Sequence, residues 1–347
     1  MTALRRLALG VAAVLGLAAA TPAAYPAGYE LQGLYLDHGI ARVFSDRKWG
    51  VLVEDRRGGI FRVLGWPLMV LPLSAARYVP PAPAIEPDLV PGARIARGHR
   101  NIRSAWLARP TERYRHGVFG SAVEAGALIA VDAVGTAHTL VLEADAVFED
   151  REARIVDVDG DRRDEIVVVK AYADRGAALA IYRLDRDGLV LAAETPPIGR
   201  PQRWLNPIGV ADLDGDGKPE LAVVETPHIG GVVVIYRYER GVLRELARRP
   251  GYSNHAMGAL HQGLAAIADL DGDGVADLVV PTANRRALEV LSFKGGEFRT
   301  LYRTEYTLGE VVTDVIAADI DRDDRLDLAF GLSNRAVMVV FNRIAAE

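Results

Sequence analysis

Four aspartate-rich phrases recur along the chain, beginning at Asp157, Asp212, Asp269 and Asp319. In each, carboxylates stand at positions 1, 3, 5 and 9. The sets are Asp157, Asp159, Asp161 and Glu165; Asp212, Asp214, Asp216 and Glu220; Asp269, Asp271, Asp273 and Asp277; and Asp319, Asp321, Asp323 and Asp327. Four carboxylates in nine residues repel one another unless a cation neutralises them. Hard oxygen ligands suit Ca²⁺, which takes roughly six to eight of them at about 2.3–2.6 Å. The backbone carbonyl at position 7, from Lys218 or Val275, and water would complete the shell. Mg²⁺ fits less well, because it prefers a few carboxylates and several retained waters. The expected chemistry is cation binding.

Spacing separates these loops from an EF-hand, which needs a bidentate Glu at position 12. Here position 12 is Val168, Val223, Val280 or Phe330. Ordinary Asp-Gly turns joining strands are the remaining alternative. Glycines at positions 4 and 6 would let the backbone turn through positive φ around an ion. The second and third copies have both. The first has Arg162 at position 6, and the fourth has Arg322 and Asp324 in place of both. Glycine content therefore ranks expected occupancy, with two to four ions in all, the second and third loops filled first.

The first aspartates lie 55, 57 and 50 residues apart, so one supersecondary unit is repeated. The pattern D-x-D-G-D-G-x-x-[DE]-[LI] ahead of a strand, at this period, resembles the FG-GAP/VCBS repeats of β-propellers such as the integrin α-subunit head. That resemblance implies four-stranded blades with Ca²⁺ in the loop between the first two strands. It extends over about residues 150 to 345. Earlier, Phe119-Gly120 is a weaker echo of the family's Phe-Gly pair.

Strands must position these loops. After each loop a second strand is expected (Ile166–Val169, Leu221–Glu225, Leu278–Val280, Leu328–Phe330), then a third (Ala178–Arg183, Val232–Tyr238, Leu288–Phe293, Val337–Asn342). Fourth strands such as Val242–Ala247 and Phe298–Tyr302 lead to the next first strand, at Ile208–Ala211 or Ala265–Ala268. One period before Asp157, Ile102–Trp106 reads as a first strand whose metal loop is replaced by Pro110–Gly117. Asp55–Gly59 reads as a hairpin turn between Val51–Val53 and Ile60–Leu64. The segment 75–98 reads as a long loop. The last repeat lacks a fourth strand, which Gly33–Phe44 could supply, clasping the two ends. The expected fold is an all-β propeller of six four-stranded antiparallel blades, five or seven being the alternatives.

At the start, Arg5 and Arg6 precede the apolar 14-residue stretch Leu7–Ala20, with small residues and Pro22 following. That reads as a secretory signal over residues 1–20, too short for a comfortable membrane span, ahead of a single propeller domain over 21–347. A secreted or periplasmic protein is expected. The chain has no cysteine, which excludes disulfide staples. Sixteen of the 46 Asp and Glu residues occupy positions 1, 3, 5 and 9 of the four loops, so the net charge of −5 mostly reflects them. Arginines are scattered, and no nucleic-acid surface is indicated.

Turns opposite the acidic loops would gather Trp204, Asn206, His228, Asn254, His255, Asn284 and Asn334 at one mouth of a channel. Short loops on a rigid scaffold are where binding residues usually lie. The same Asn residues would equally cap turns, and Trp204 would equally pack between blades. No nucleophile elbow, zinc signature or phosphate loop occurs. The expected role is to bind a glycan, peptide or protein through that rim. An envelope scaffold and a polysaccharide lyase or hydrolase are the alternatives.

Overall fold

The computed structural model describes residues 28–74, 77–80, 86, 88–304 and 309–344. The expected signal segment 1–20 and part of the long loop 75–98 lie outside them. Among the described residues there is no α-helix, and none is long and apolar enough to cross a membrane.

Among the described residues, twenty-five strands form five sheets. They run β1 (Tyr29–Tyr35), β2 (Ile40–Asp46), β3 (Gly50–Asp55), β4 (Ile60–Leu64), β5 (Met69–Leu73), β6 (Ala96–Arg97), β7 (Ile102–Thr111) and β8 (Glu124–Asp132). Next come β9 (Ala137–Val141), β10 (Ala146–Phe148), β11 (Arg154–Val156), β12 (Glu165–Tyr172), β13 (Gly176–Asp185), β14 (Gly188–Glu194), β15 (Leu205–Ala211) and β16 (Glu220–Glu225). The rest are β17 (Val232–Glu239), β18 (Val242–Pro250), β19 (Ala266–Ala268), β20 (Asp277–Pro281), β21 (Leu288–Ser292), β22 (Arg299–Arg303), β23 (Ile316–Ala318), β24 (Asp327–Gly331) and β25 (Ala336–Asn342).

Three sheets are plain antiparallel meanders: β2–β5, β15–β18 and β19–β22. Two further meanders, β6–β9 and β11–β14, are joined into one nine-stranded sheet by β10, which pairs with both β8 and β12. In the last sheet, β1 lies beside β25 in the order β1-β25-β24-β23. Second and third strands are buried on both faces, which explains their continuous apolar runs; β12, β16 and β20 are examples. Outer strands such as β9 alternate between exposed and half-buried residues, as one solvated face requires.

Apolar faces then stack sheet on sheet. Leu107 and Leu128 pack with Ile166 and Val168, while Val167 and Leu179 pack with Val223 and Val234. Val224 and Ile235 meet Leu278 and Leu291, and Val290 meets Leu328 and Phe330. Finally Val43 and Val53 pack with Val339 and Phe341, which brings the start of the chain against its end.

The clasp is present, displaced from its expected place. β1 pairs with β25 from Tyr29↔Asn342 to Tyr35↔Ala336, whereas Ile40–Phe44 belong to β2 in the next sheet. Tyr29 anchors the joint by donating to Leu270 O at 3.2 Å and stacking on Tyr302 at 4.5 Å. The Asp55 turn is as expected: Asp55 Oδ1 accepts from Arg57 and Gly59 N–H at 2.8 and 2.7 Å. One assignment is corrected. Ile102–Thr111 pairs with β6 on one side and β8 on the other, so it is a second strand. The loop standing where the acidic phrase would be is therefore 98–101, and Pro110–Gly117 leads to the opposite end of the sheet. A two-residue β6 carries too little pattern to be read from sequence.

Candidate metal centres and the opposite face

Each acidic phrase forms the turn between the first and second strands of its meander, and the four turns share one hydrogen-bonding scheme. The position-1 carboxylate accepts N–H bonds from positions 4 and 6. Asp157 holds Gly160 and Arg162, Asp212 holds Gly215 and Gly217, Asp269 holds Gly272 and Gly274, and Asp319 holds Arg322 and Asp324. Position 5 accepts the position-7 amide: Lys218 N to Asp216 at 2.9 Å and Val275 N to Asp273 at 3.0 Å. The position-9 carboxylate, buried at the base, accepts the position-2 amide at 2.8–3.1 Å in every copy. These bonds aim the carboxylates inward.

As a result, single oxygens of three carboxylates converge within 4.8 Å in each turn. The sets are Asp157, Asp159 and Glu165; Asp212, Asp214 and Glu220; Asp269, Asp271 and Asp273; Asp319, Asp321 and Asp327. An all-oxygen, all-anionic set fits a hard divalent cation. In the fourth turn Asp321 Oδ1 is buried without a hydrogen-bond partner. Asp161, Asp216, Asp277 and Asp323 lie in the same turns but outside these triads. Burial pushes Glu165 and Asp277 up to about 7 and Asp327 up to about 6, with neighbouring carboxylates adding to the rise. Desolvated carboxylates crowded together would rather be neutral than charged.

Glycine content does not separate the four backbones. Positions 4 and 6 have positive φ in every turn, including Arg162 at 71°, Arg322 at 69° and Asp324 at 66°. The carboxylate-to-amide bonds impose the left-handed conformation even where side chains oppose it.

The turns differ in the basic side chains beside them. Arg100 reaches Asp157 at 3.0 Å, Lys294 reaches Asp273 at 2.9 Å, and Arg343 reaches Asp321 and Asp323 at 2.6 and 3.1 Å. In the second turn Arg237 contacts Asp214 at 2.8 Å, Asp216 at 2.9 Å, and Glu220 as well.

At the other end of the sheets, the residues expected to ring an open mouth are mostly inside. Trp204, Asn206, Asn254 and His255 are all buried; His228 and Asn334 are partly open and Asn284 is exposed. Trp204 donates to Glu149 O at 2.8 Å and packs against Phe119, His255 and His228. Asn206 and Asn254 exchange side-chain-to-carbonyl bonds at 3.2 and 3.0 Å. Asn284 and Asn334 accept amides of their own turns, from Arg286 and Ala336. The expectation of an exposed polar ring is corrected. The connection 251–265 folds over these groups: Gly258 donates to Val118 O, His261 bonds Ala41 O and Gln262 bonds Asp150.

Sequence reasoning missed the charges below it. Arg151 is buried, donates to Glu124 at 2.8 Å and lies 4.2 Å over the Phe119 ring. Asp150 accepts from Val169 N, Arg154 and Gln262, and Glu149 meets His116 Nδ1 at 2.6 Å. Burial pushes Glu124 up to about 8 against the opposing pull of Arg151. The run Glu149-Asp-Arg-Glu152 looks like a solvated turn, and no local signal marks it as interior. A small opening of about 110 Å³ on this face is lined by His116, Trp204 and His228 with Ile229 and Met257, both well exposed.

An all-β chain of repeated four-stranded units with acidic turns is the class these observations define. A protein-family model for the FG-GAP-like repeat matches residues 157–223 and 269–330. Each match runs from position 1 of one acidic turn to position 12 of the next. The chain carries FG-GAP-like repeats over these two segments. No curated protein matches it significantly.

Two outcomes follow from this geometry. Replacing Arg322 and Asp324 together by Gly should stabilise the protein by about 1 kcal/mol, because left-handed φ costs an L-residue roughly 1–2 kcal/mol and glycine's added chain entropy returns only part. A denaturant midpoint that falls would show that those side chains stabilise the turn. The second outcome concerns acid. His255 Nε2–H donates to Ala259 O at 3.0 Å, so its Nδ1 accepts from His228 at 2.8 Å. Burial drives His228 down to about 4 and His255 to about 3. With folded values below the unfolded one, stability is complete above about pH 6.5 and falls as pH drops toward 3. The loss from His255 is about 1.4 kcal/mol per pH unit. His255→Gln should flatten the melting temperature against pH over that window, and an unchanged slope would contradict the assignment.

Proposed function

We propose that the chain is a secreted or periplasmic, calcium-stabilised β-propeller of six blades that binds a peptide or protein partner on the face opposite its acidic turns. The six blades would be β2–β5, β6–β9, β11–β14, β15–β18, β19–β22 and β23–β25 with β1. Pairing of β1 with β25 and packing of Val43 and Val53 on Phe341 support a closed ring. The fourfold convergence of carboxylate oxygens within 4.8 Å is the observation that carries the calcium reading. Asp157, Asp159, Glu165, Asp269, Asp271 and Asp273 would hold the ion in the first and third turns, with carbonyls such as that of Val275 beside them. Bound calcium would neutralise the turns that hold it and lock the first strand there to the second. The apolar stretch Leu7–Ala20 supports export.

Exposed Ile229 and Met257, beside the small opening at His228, support a peptide or protein partner. Trp204, the aromatic side chain expected to meet a glycan there, is covered. Chelation should lower the melting temperature and Ca²⁺ restore it, by about 2.7 kcal/mol of stabilisation for a site at 100 times its Kd. A melt indifferent to both would end the calcium reading. For the partner, the protein in Ca²⁺ is used as bait against envelope extract and a glycan panel, beside an Ile229→Asp, Met257→Asp variant. Both substituted side chains are exposed, so the variant should fold. A protein kept by the wild type and lost by the variant is the expected result. Equal capture would move the contact elsewhere, and glycan binding would replace the partner class.

A further inference from the structure

The second acidic turn has a complete motif, as the third does, and yet contains a cation of its own. Arg237 stands on β17 directly opposite Glu220 in register. Its guanidinium donates to Glu220 Oε1 at 2.7 Å, Asp216 Oδ2 at 2.9 Å and Asp214 Oδ2 at 2.8 Å. These are positions 9, 5 and 3, three of the four carboxylates of the turn. Only 8% of the Arg237 side chain is exposed. Swinging it into solvent would leave the buried Glu220 carboxylate without its ion-pair partner.

No other turn is filled in this way. In the first, the strand-equivalent residue is Arg183, one past Tyr182 as Arg237 is one past Tyr236. Arg183 is turned onto Asp185 at 3.0 Å and is half exposed. A cavity of about 150 Å³ lined by Asp159, Asp161 and Glu165 lies beside it. In the third, Ser292 follows Leu291, the partner of Leu278, and brings no charge. Lys294 reaches only Asp273 there, from a side chain 43% exposed. In the fourth, Phe341 follows Val340, and Arg343 touches Asp321 and Asp323 but makes no contact with Asp327 among the described ion pairs.

We propose that Arg237 is the resident counter-ion of the second turn, which therefore binds no Ca²⁺ in the wild-type protein, while the first and third turns do. This rests on the calcium reading of the other turns. A guanidinium bonded to positions 3, 5 and 9 uses oxygens that a divalent ion would need, and two cations sharing them would repel at contact distance. Arg delivers this role well because its planar fork presents several donors at once. Motif completeness and metal occupancy are thereby uncoupled.

The test counts Ca²⁺ ions per whole chain after equilibrium dialysis, with metal analysis of wild type, Asp214→Asn, Arg237→Gln and Asp271→Asn. Asp214→Asn should keep the wild-type number, Asp271→Asn should lose one ion, and Arg237→Gln should gain one. Loss of an ion from Asp214→Asn would overturn the proposal even if Arg237→Gln failed to fold. Asp271→Asn separates the two readings, since a wild type that binds no ion, with Asp271→Asn unchanged, sinks the calcium reading along with the proposal. An unaltered count in a folded Arg237→Gln would also overturn it.

Discussion

Repulsion among four carboxylates within nine residues is the constraint on which the repeated part of this molecule is built. The repulsion is offset locally because the carboxylates at positions 1, 5 and 9 accept backbone amides of their own turns. Asp212 spans Gly215 and Gly217, and Glu220 reaches back to Leu213. Those bonds fix where the first strand ends and the second begins. A one-residue slip in a strand would send its apolar set to the wrong face, so the turn decides which residues meet the neighbouring sheet. Val223 and Val234 face one neighbour, and Val224 and Ile235 the other, because the turn before β16 sets that register.

A second concentration of charge lies inside the opposite face. Glu124, Glu149, Asp150 and Arg151 are all removed from water, at a cost that partners must offset. Val169 N, Arg154 and Gln262 satisfy Asp150, and His116 meets Glu149. Gln262 belongs to the connection between β18 and β19, which also reaches Ala41 and Val118. Strands far apart in sequence are thus tied through one polar cluster, and uncharged His228 and His255 close it over. Such a network specifies a single arrangement more than it adds stability.

Legibility in the sequence followed the range of the interactions. The acidic turns, the Asp55 turn and the strands after each loop were readable because Asp, Gly and apolar runs act within a few residues. β12, β16, β20 and β24 begin where the position-9 carboxylate predicts. β6, β10 and the correct place of the loop at 98–101 were not readable, since strands of two or three residues carry no periodicity. The burial of Trp204, Asn254 and His255 was likewise hidden, because it arises where the connection 251–265 folds inward onto Trp204, Phe119 and Asn206, which are far from it in sequence.

Composition and spacing alone determined that the chain repeats a β unit and places hard anionic ligands in its turns. They did so because the chemistry of a nine-residue loop is contained in nine residues. Tertiary structure alone decided which of those loops contains its own cation. Arg237 is seventeen residues from Glu220 along the chain, and only antiparallel pairing brings its guanidinium into the turn. Tertiary structure also decided which polar groups face water. Burial depends on what the rest of the chain lays over a residue, and no local pattern encodes that.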